Sequence, residues 1–197
     1  ALVNIDLENR QDYKTIKSLD LVRIGTCGIL QSEIPLHAYI LSTHAFGLDN
    51  VAHYYSVPET DEEQLLFSEI CKQVKLPAAI NPYLARASSE LLNKFISAET
   101  IQGITVTSSG FYGPQGRQLR LQNTTSNLND DLTNFRFETN RITNFEMESS
   151  ALFALGKALG HRCATICLGI ANRPNKKFSS DYKPAMLELI EYVLERI

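Results

Sequence analysis

Cys163-Ala164-Thr165-Ile166-Cys167-Leu168-Gly169-Ile170-Ala171 is the longest apolar run of the chain. It is too short to cross a bilayer and reads as a central strand covered on both faces. The stretch before it, 149–160, has helical spacing and stops on Gly160, as helices commonly do. Further back, Ile101 to Thr107 is rich in β-branched residues and predicts a strand. Ala38 to Thr43 predicts another. Asp20-Leu21-Val22-Arg23-Ile24 predicts a short strand that ends in a turn at Gly25-Thr26-Cys27-Gly28. Between the strands lie helical patterns. Asp61 to Val74 places Leu65, Leu66, Ile70 and Val74 on one side, and Asn81 to Ile96 carries Pro82 early with Leu84, Leu91, Leu92 and Phe95 apolar. Leu128, Leu132 and Phe135 mark a further helix. A last one starts near Asp181, with Pro184 in its first turn and Met186, Ile190, Val193 and Ile197 on one face. Strands alternating with helices predict an α/β layered domain.

The bulk composition narrows the function classes. The 197 residues suit one domain over 1–197, and 44% hydrophobic content supplies a core. A net charge of -3 argues against a nucleic-acid partner, which needs a basic face. Ala1 to Asp6 does not resemble a signal peptide, and no run is long enough for a membrane span. A cytoplasmic protein is expected. Cys27, Cys71, Cys163 and Cys167 form no CxxC pair and are read as buried free thiols rather than metal ligands or a disulfide framework. The histidines are scattered. His44 and His53 fall near one predicted turn, and nothing in the sequence sets a carboxylate or a metal beside them. No metal and no cofactor is expected.

In open α/β sheets, ligands bind beyond the carboxyl ends of strands, and four polar clusters fall there. In Arg23-Ile24-Gly25-Thr26-Cys27-Gly28, a glycine turn would aim backbone N–H groups at one anion, with the Thr26 hydroxyl and the Arg23 charge beside it. Phosphate fits. A plain tight turn with Arg23 paired to an acid fits equally. In Ser108-Ser109-Gly110-Phe111-Tyr112-Gly113-Pro114-Gln115-Gly116-Arg117, Phe111 would pack against a flat ring. Gln115 offers a donor and an acceptor, and Arg117 would hold a carbonyl oxygen that gains negative charge. That set matches uracil; the alternative is a solvent loop with polar tips. In Phe145-Glu146-Met147-Glu148-Ser149, Glu148 would grip a vicinal diol, Met147 would pack on the sugar and Glu146 would hold Arg23 or another basic group. The alternative has both acids complementing a helix dipole. In Ile170-Ala171-Asn172-Arg173, Arg173 would support the base-binding loop, or be an ordinary surface arginine before Pro174.

Taken together the clusters fit nucleoside phosphorolysis. Phosphate, a co-substrate, would attack the anomeric carbon through an oxocarbenium-like transition state. Arg23, Glu148 and Arg117 are the candidate catalytic groups. Holding both reactants lowers the entropic barrier, and Arg117 with Gln115 stabilises the departing base anion.

With these motifs on hand, the chain resembles the nucleoside phosphorylase family, and its uridine phosphorylase branch in particular. Arg23 to Gly28 resembles the family's phosphate and ribose motif, Phe111 to Arg117 its pyrimidine loop, Phe145 to Ser149 its ribose motif and Ile170 to Arg173 its base-side strand end. The resemblance implies a three-layer domain with a central mixed β-sheet flanked by helices. It implies phosphate binding by Arg23 and Thr26, ribose binding by Thr26, Glu146, Met147 and Glu148, and base binding by Phe111, Gln115, Arg117 and Arg173. Purine-specific relatives carry an aspartate where Asn172 stands; an amide cannot give a purine N7 its proton, which favours uridine, with thymidine and deoxyuridine as alternatives. A homo-oligomer is implied, a dimer or a hexamer of dimers.

The family's first strands, with a Gly-Asp-Pro phosphate loop, are not found here. By the resemblance the chain starts inside the helix preceding the Arg23 strand, keeps only part of the phosphate site, is not expected to be active alone and leaves one side of its sheet uncovered. Three other readings compete: a nucleosidase of the same fold, a non-catalytic nucleoside-binding or scaffold paralogue, and a plain structural domain.

Overall fold

The apolar run lies within the longest strand of the fold. A computed structural model describes residues 2–197, so Ala1 lies outside the described residues. Ten strands and five α-helices are described: β1 (Ile5–Asp6), β2 (Gln11–Asp12), β3 (Asp20–Ile29), β4 (Tyr39–Gly47), α1 (Asp61–Gln73), β5 (Tyr83–Arg86), α2 (Ser89–Phe95), β6 (Thr100–Thr107), α3 (Leu128–Asn134), β7 (Arg136–Phe137), β8 (Asn140–Glu146), α4 (Ser149–Ala158), β9 (Arg162–Asn172), β10 (Lys177–Phe178) and α5 (Lys183–Leu194). Short 3₁₀ turns sit at Leu2–Asn4, Val51–Tyr54 and Gly113–Gln115.

The sheet is mixed and carries helices on its faces, as expected. Its strands also close a ring. β9 pairs parallel with β3, β3 antiparallel with β8, β8 parallel with β6, β6 parallel with β4, and β4 returns antiparallel to β9 through Tyr39↔Leu168 to Leu41↔Ile166. The uncovered side predicted for the sheet is therefore reduced to one edge. From Asp20 to Cys27, β3 is paired only on its β9 side among the described residues. Two large apolar clusters flank the ring. One joins α2, α4 and α5 to β9 and β4 through Phe95, Phe153, Ile166 and Leu189; the other joins α1 and α3 to β6 and β8 through Ile70, Leu132, Val106 and Phe145. No helix among the described residues is long and apolar enough to cross a membrane.

Several expectations change. Asn81 to Ile96 is not one helix: Tyr83–Arg86 is a strand paired with β4, and only Ser89–Phe95 is helical. The ladder to His44–Gly47 overrides the helical spacing, because each pairing satisfies backbone groups that burial would otherwise leave unbonded. The chain before Arg23 holds a two-stranded hairpin rather than a helix. Gly25 to Gly28 is strand, not turn, since β9 pairs along the whole of β3 with one bulge at Cys27/Gly28. A strand for which the sequence reading has no counterpart, β8, leads into Glu146. On α1, Leu65 faces outward while Leu66, Ile70 and Val74 are buried. On α5 the buried residues are Leu189, Tyr192 and Val193, and Ile197 is exposed. Cys27, Cys163 and Cys167 are buried free thiols, but Cys71 is exposed.

His44 lies inside β4, not in a turn, and its ring is buried. Its Nε2 has no hydrogen-bond partner and stands 4.0 Å from Glu62. Burial, with Arg86 nearby, lowers its pKa to about 4, so the fold holds the neutral ring. The unfolded chain takes up a proton near the ordinary histidine value and the folded chain does not. This contribution is therefore full above about pH 6.5 and is lost as pH falls towards 4. It is on the order of 3 kcal/mol, because each tenfold change in proton affinity is worth about 1.4 kcal/mol. Urea denaturation between pH 4.5 and 7 should show wild-type stability falling faster on acidification than that of His44→Gln. Parallel curves would remove the buried histidine as the cause.

Candidate active site

Two parallel pairs, β3 with β9 and β6 with β8, run towards each other and meet where Gly28 pairs with Phe145 and Ile29 with Asn144. The carboxyl ends of all four strands thus converge, and a cavity of about 340 Å³ opens there. Its lining includes Arg23 and Thr26 from β3, Phe111, Gln115 and Arg117 from the loop after β6, and Glu146, Met147 and Glu148 from the β8–α4 junction. Every site residue singled out from sequence except Arg173 lines this one hollow. Arg173 touches it through Gln115.

One wall is organised by Glu146. It ends β8, is almost fully buried, and its Oε2 accepts from the backbone N–H groups of Glu148 and Ser149, each at 2.9 Å. Oε1 accepts from the Thr107 hydroxyl, and Arg23 Nη1 lies 3.3 Å from Oε2. Both oxygens are therefore engaged by the protein, which fits the holding role better than the sugar contact. Neither acid lies in the first turn of α4, since Glu146 closes β8 and Glu148 is the N-cap, but the Glu146 carboxylate still meets the helix N-terminus through these two N–H groups. Glu148 is largely exposed and pairs with Arg23 Nη2. Arg23 also donates to Cys167 Sγ at 3.2 Å. Burial pulls its pKa down, but the Cys167 sulfur and the two carboxylates raise it overall. At Gly25 a Cβ would stand 2.7 Å from Arg23 Nη1, so a side chain there would push the guanidinium from its place beside the two carboxylates. The glycine thus serves close approach rather than a turn, and the anion-binding backbone turn expected from the sequence does not form. Anion contact on this wall falls to the Arg23 side chain and the Thr26 hydroxyl.

The opposite wall holds two guanidinium groups on one amide. Arg117 Nη1 donates to Gln115 Oε1 at 2.6 Å, and Arg173 Nη2 donates to the same oxygen. Two donors fix which end of the amide is oxygen, and they leave the Gln115 Nε2 group as its remaining donor. Gln115 therefore offers a ligand its N–H groups rather than the donor and acceptor pair expected from sequence. Arg173 also donates to the Gln115 carbonyl oxygen at 2.8 Å and lies 4.5 Å over the Phe145 ring. It is no surface arginine. A Cβ on Gly28 would stand 2.9 Å from its Nε, so the second glycine again makes room for an arginine. Arg117 lies 3.8 Å over the half-exposed Phe111 ring. Burial lowers the pKa of Arg117, and burial together with Arg117 lowers that of Arg173. Among the described residues no carboxylate pairs with either guanidinium on this wall.

Asn172 is turned away from the hollow. Its Nδ2 donates to Ile34 O at 2.8 Å and Gln31 O at 3.1 Å, and its Oδ1 accepts from Asn175 N at 3.0 Å. Sequence reading missed Phe178, Ser179 and Tyr182, which complete the hollow from the end of β10 and the segment that leads to α5. No motif marks them; only the β10–β9 pairing brings them near. A larger apolar cavity of about 690 Å³, lined by Leu48, Leu76, Ile80 and Leu128, lies against the loop after β6 and shares Arg117 with the hollow.

The geometry has counterparts in known proteins. A family model described as the phosphorylase superfamily matches residues 3–195. The uridine phosphorylase of Haemophilus influenzae is 28% identical over 162 residues, covering 81% of this chain and 56% of the relative. That of Thermococcus kodakarensis is 27% identical over 171 residues, covering 85% of this chain and 54% of the relative. The chain thus spans about half the length of these two curated relatives. The nucleoside phosphorylase of Trypanosoma brucei, whose crystal structure is described as showing uridine phosphorylase activity, superposes with a TM-score of 0.86 at 26% identity, covering 98% of this chain and 72% of that one. Four strand ends around one hollow, with a family match along nearly the whole sequence, lead to one conclusion: the chain belongs to the phosphorylase superfamily.

Proposed function

We propose that this chain is part of a uridine phosphorylase, which cleaves uridine with inorganic phosphate to uracil and ribose 1-phosphate. The observation that carries the reading is the pair of guanidinium groups on Gln115, facing Glu148 across one cavity. A uracil ring would lie on Phe111, with its carbonyl oxygens towards Arg117 and the Gln115 amide nitrogen. As the glycosidic bond breaks, the electron pair moves into the ring, where preorganised donors act most strongly. On the other wall Glu148 would take the ribose diol and Met147 the sugar's apolar face. Phosphate would compete with Glu148 for Arg23, and taking that place frees the carboxylate for the sugar. Thr26 would add a hydroxyl to either ligand. No cofactor enters this chemistry. The protein would work in the cytoplasm as a homo-oligomer, a dimer or a hexamer of dimers, and the exposed Tyr54 and Tyr55 offer apolar surface for such a contact.

The test is uracil release from uridine by the purified full-length protein, followed with and without phosphate. Release that requires phosphate supports the proposal. Equal release without phosphate would make the protein a nucleosidase. Uridine binding in a calorimeter without turnover in either buffer would leave a binding module.

A further inference from the structure

The segment that completes the hollow beyond β9 is held by few bonds. β10 is two residues long and pairs with Asn172 and Ala171. Ser179 N donates to Ile170 O at 2.9 Å. Past Ser179 the chain runs to α5, with Phe178 mostly exposed and Tyr182 more than a third exposed on the rim. A side-chain bond also reaches this segment from elsewhere in the fold: His37 Nε2 stands 2.7 Å from Ser179 Oγ.

His37 sits in the β3–β4 connection with φ 66°, the left-handed region. Glycine enters that region without penalty, and asparagine more easily than most residues. Histidine is among the residues found there more often than most, at a conformational cost that glycine does not carry. The backbone is fastened to β9, since His37 N donates to Gly169 O at 2.8 Å and Gly169 N donates to Ala38 O at 3.0 Å. The imidazole is thereby anchored to the strand whose next residues, Ile170 and Ala171, line the hollow.

We infer that His37 is a positioning residue, whose imidazole latches Ser179 and so holds the Phe178–Tyr182 wall against the ligand cavity. It does not line the cavity itself. The bond also sets what Ser179 presents to a ligand. An Nε2 that accepts engages the Ser179 O–H in the bond, whereas an Nε2–H that donates leaves that hydroxyl hydrogen free to point into the hollow. The effect on turnover rests on the uridine reading; the latch does not.

His37→Gly separates the two roles of the residue, because it relaxes the backbone and removes the imidazole. Its thermal midpoint should equal or exceed that of wild type. Trypsin should cut it roughly 3–10-fold faster after Lys176 or Lys177, the range expected for one lost hydrogen bond that had restrained local opening. KM for uridine should rise by a similar factor, with kcat within about twofold of wild type. His37→Asn, which tolerates the backbone and keeps a polar group there, should recover part of the protection. In the cleavage assay Ser179→Ala should match His37→Gly, and the double variant should add nothing. Unchanged cleavage in His37→Gly overturns the proposal, as does full additivity with Ser179→Ala. If wild type does not turn over uridine, the functional reading fails while the cleavage comparison still decides the latch.

Discussion

Arg117→Ala is expected to lower kcat for uridine phosphorolysis by roughly 10²–10³-fold, the usual loss when one preorganised donor to a developing anion is removed. KM should change far less, because the ring stacking proposed for Phe111 and the sugar contacts proposed for Glu148 would persist. The fold should survive. Arg117 is only partly buried, and it donates to Phe111 O at 2.5 Å and to Gln115 Oε1 within its own loop. Its removal even relieves Arg173 of a like charge. Arg117→Lys should recover little, since an ammonium cannot reproduce the flat fork that meets both the amide oxygen and a ring carbonyl. Steady-state kinetics with saturating phosphate reads the effect. A variant that keeps wild-type kcat would take Arg117 out of the chemistry.

The largest loss of stability is expected far from the site, in Glu63→Ala. Glu63 is almost fully buried in the first turn of α1. It accepts from Thr60 N at 2.8 Å, Thr60 Oγ1 at 2.9 Å and Arg86 N at 2.9 Å, and pairs with Lys157 Nζ at 2.5 Å. One carboxylate thus caps α1, holds β5 and joins α4. Deleting it strands Lys157 and two backbone donors, and breaking such a buried pair costs about 3–5 kcal/mol. That is a large share of the roughly 5–15 kcal/mol that holds a domain together. Glu63→Gln keeps the shape and loses the charge, so its midpoint in urea should fall between the two. A loss below about 1 kcal/mol for the alanine variant would show that the contacts are replaced by water.

Much of the site could be read from the sequence because its residues come in short local motifs. Arg23 with Thr26, Gln115 with Arg117, and Glu146 to Glu148 each bring their chemistry on neighbouring positions, and the strand ends then gather them. Arg173 was legible only as a support, and the structure gives its partner as the Gln115 oxygen. Ser179 and His37 are 142 residues apart and meet through the β9 register, which no local pattern encodes. The glycines of β3 were legible as necessary but not for their reason: at Gly25 and Gly28 what needs space is an arginine side chain, not a bend. The helix expected over Asn81 to Ile96 failed for a related cause. Tyr83 to Arg86 has the spacing of either element, and the vacant edge of β4 decided between them. The ring closure through β4 and β9 depends on twist and long-range pairing, and was likewise invisible.

Sharing a single amide oxygen between Arg117 and Arg173 leaves the base side of the hollow electrically unbalanced. A neutral heterocycle resting there would surrender its ring proton at lower pH than it does in water, because the nearby cations favour its anion. The pocket would then grip the leaving base more tightly after bond cleavage than before it, and uracil should inhibit more strongly as the solution is made alkaline.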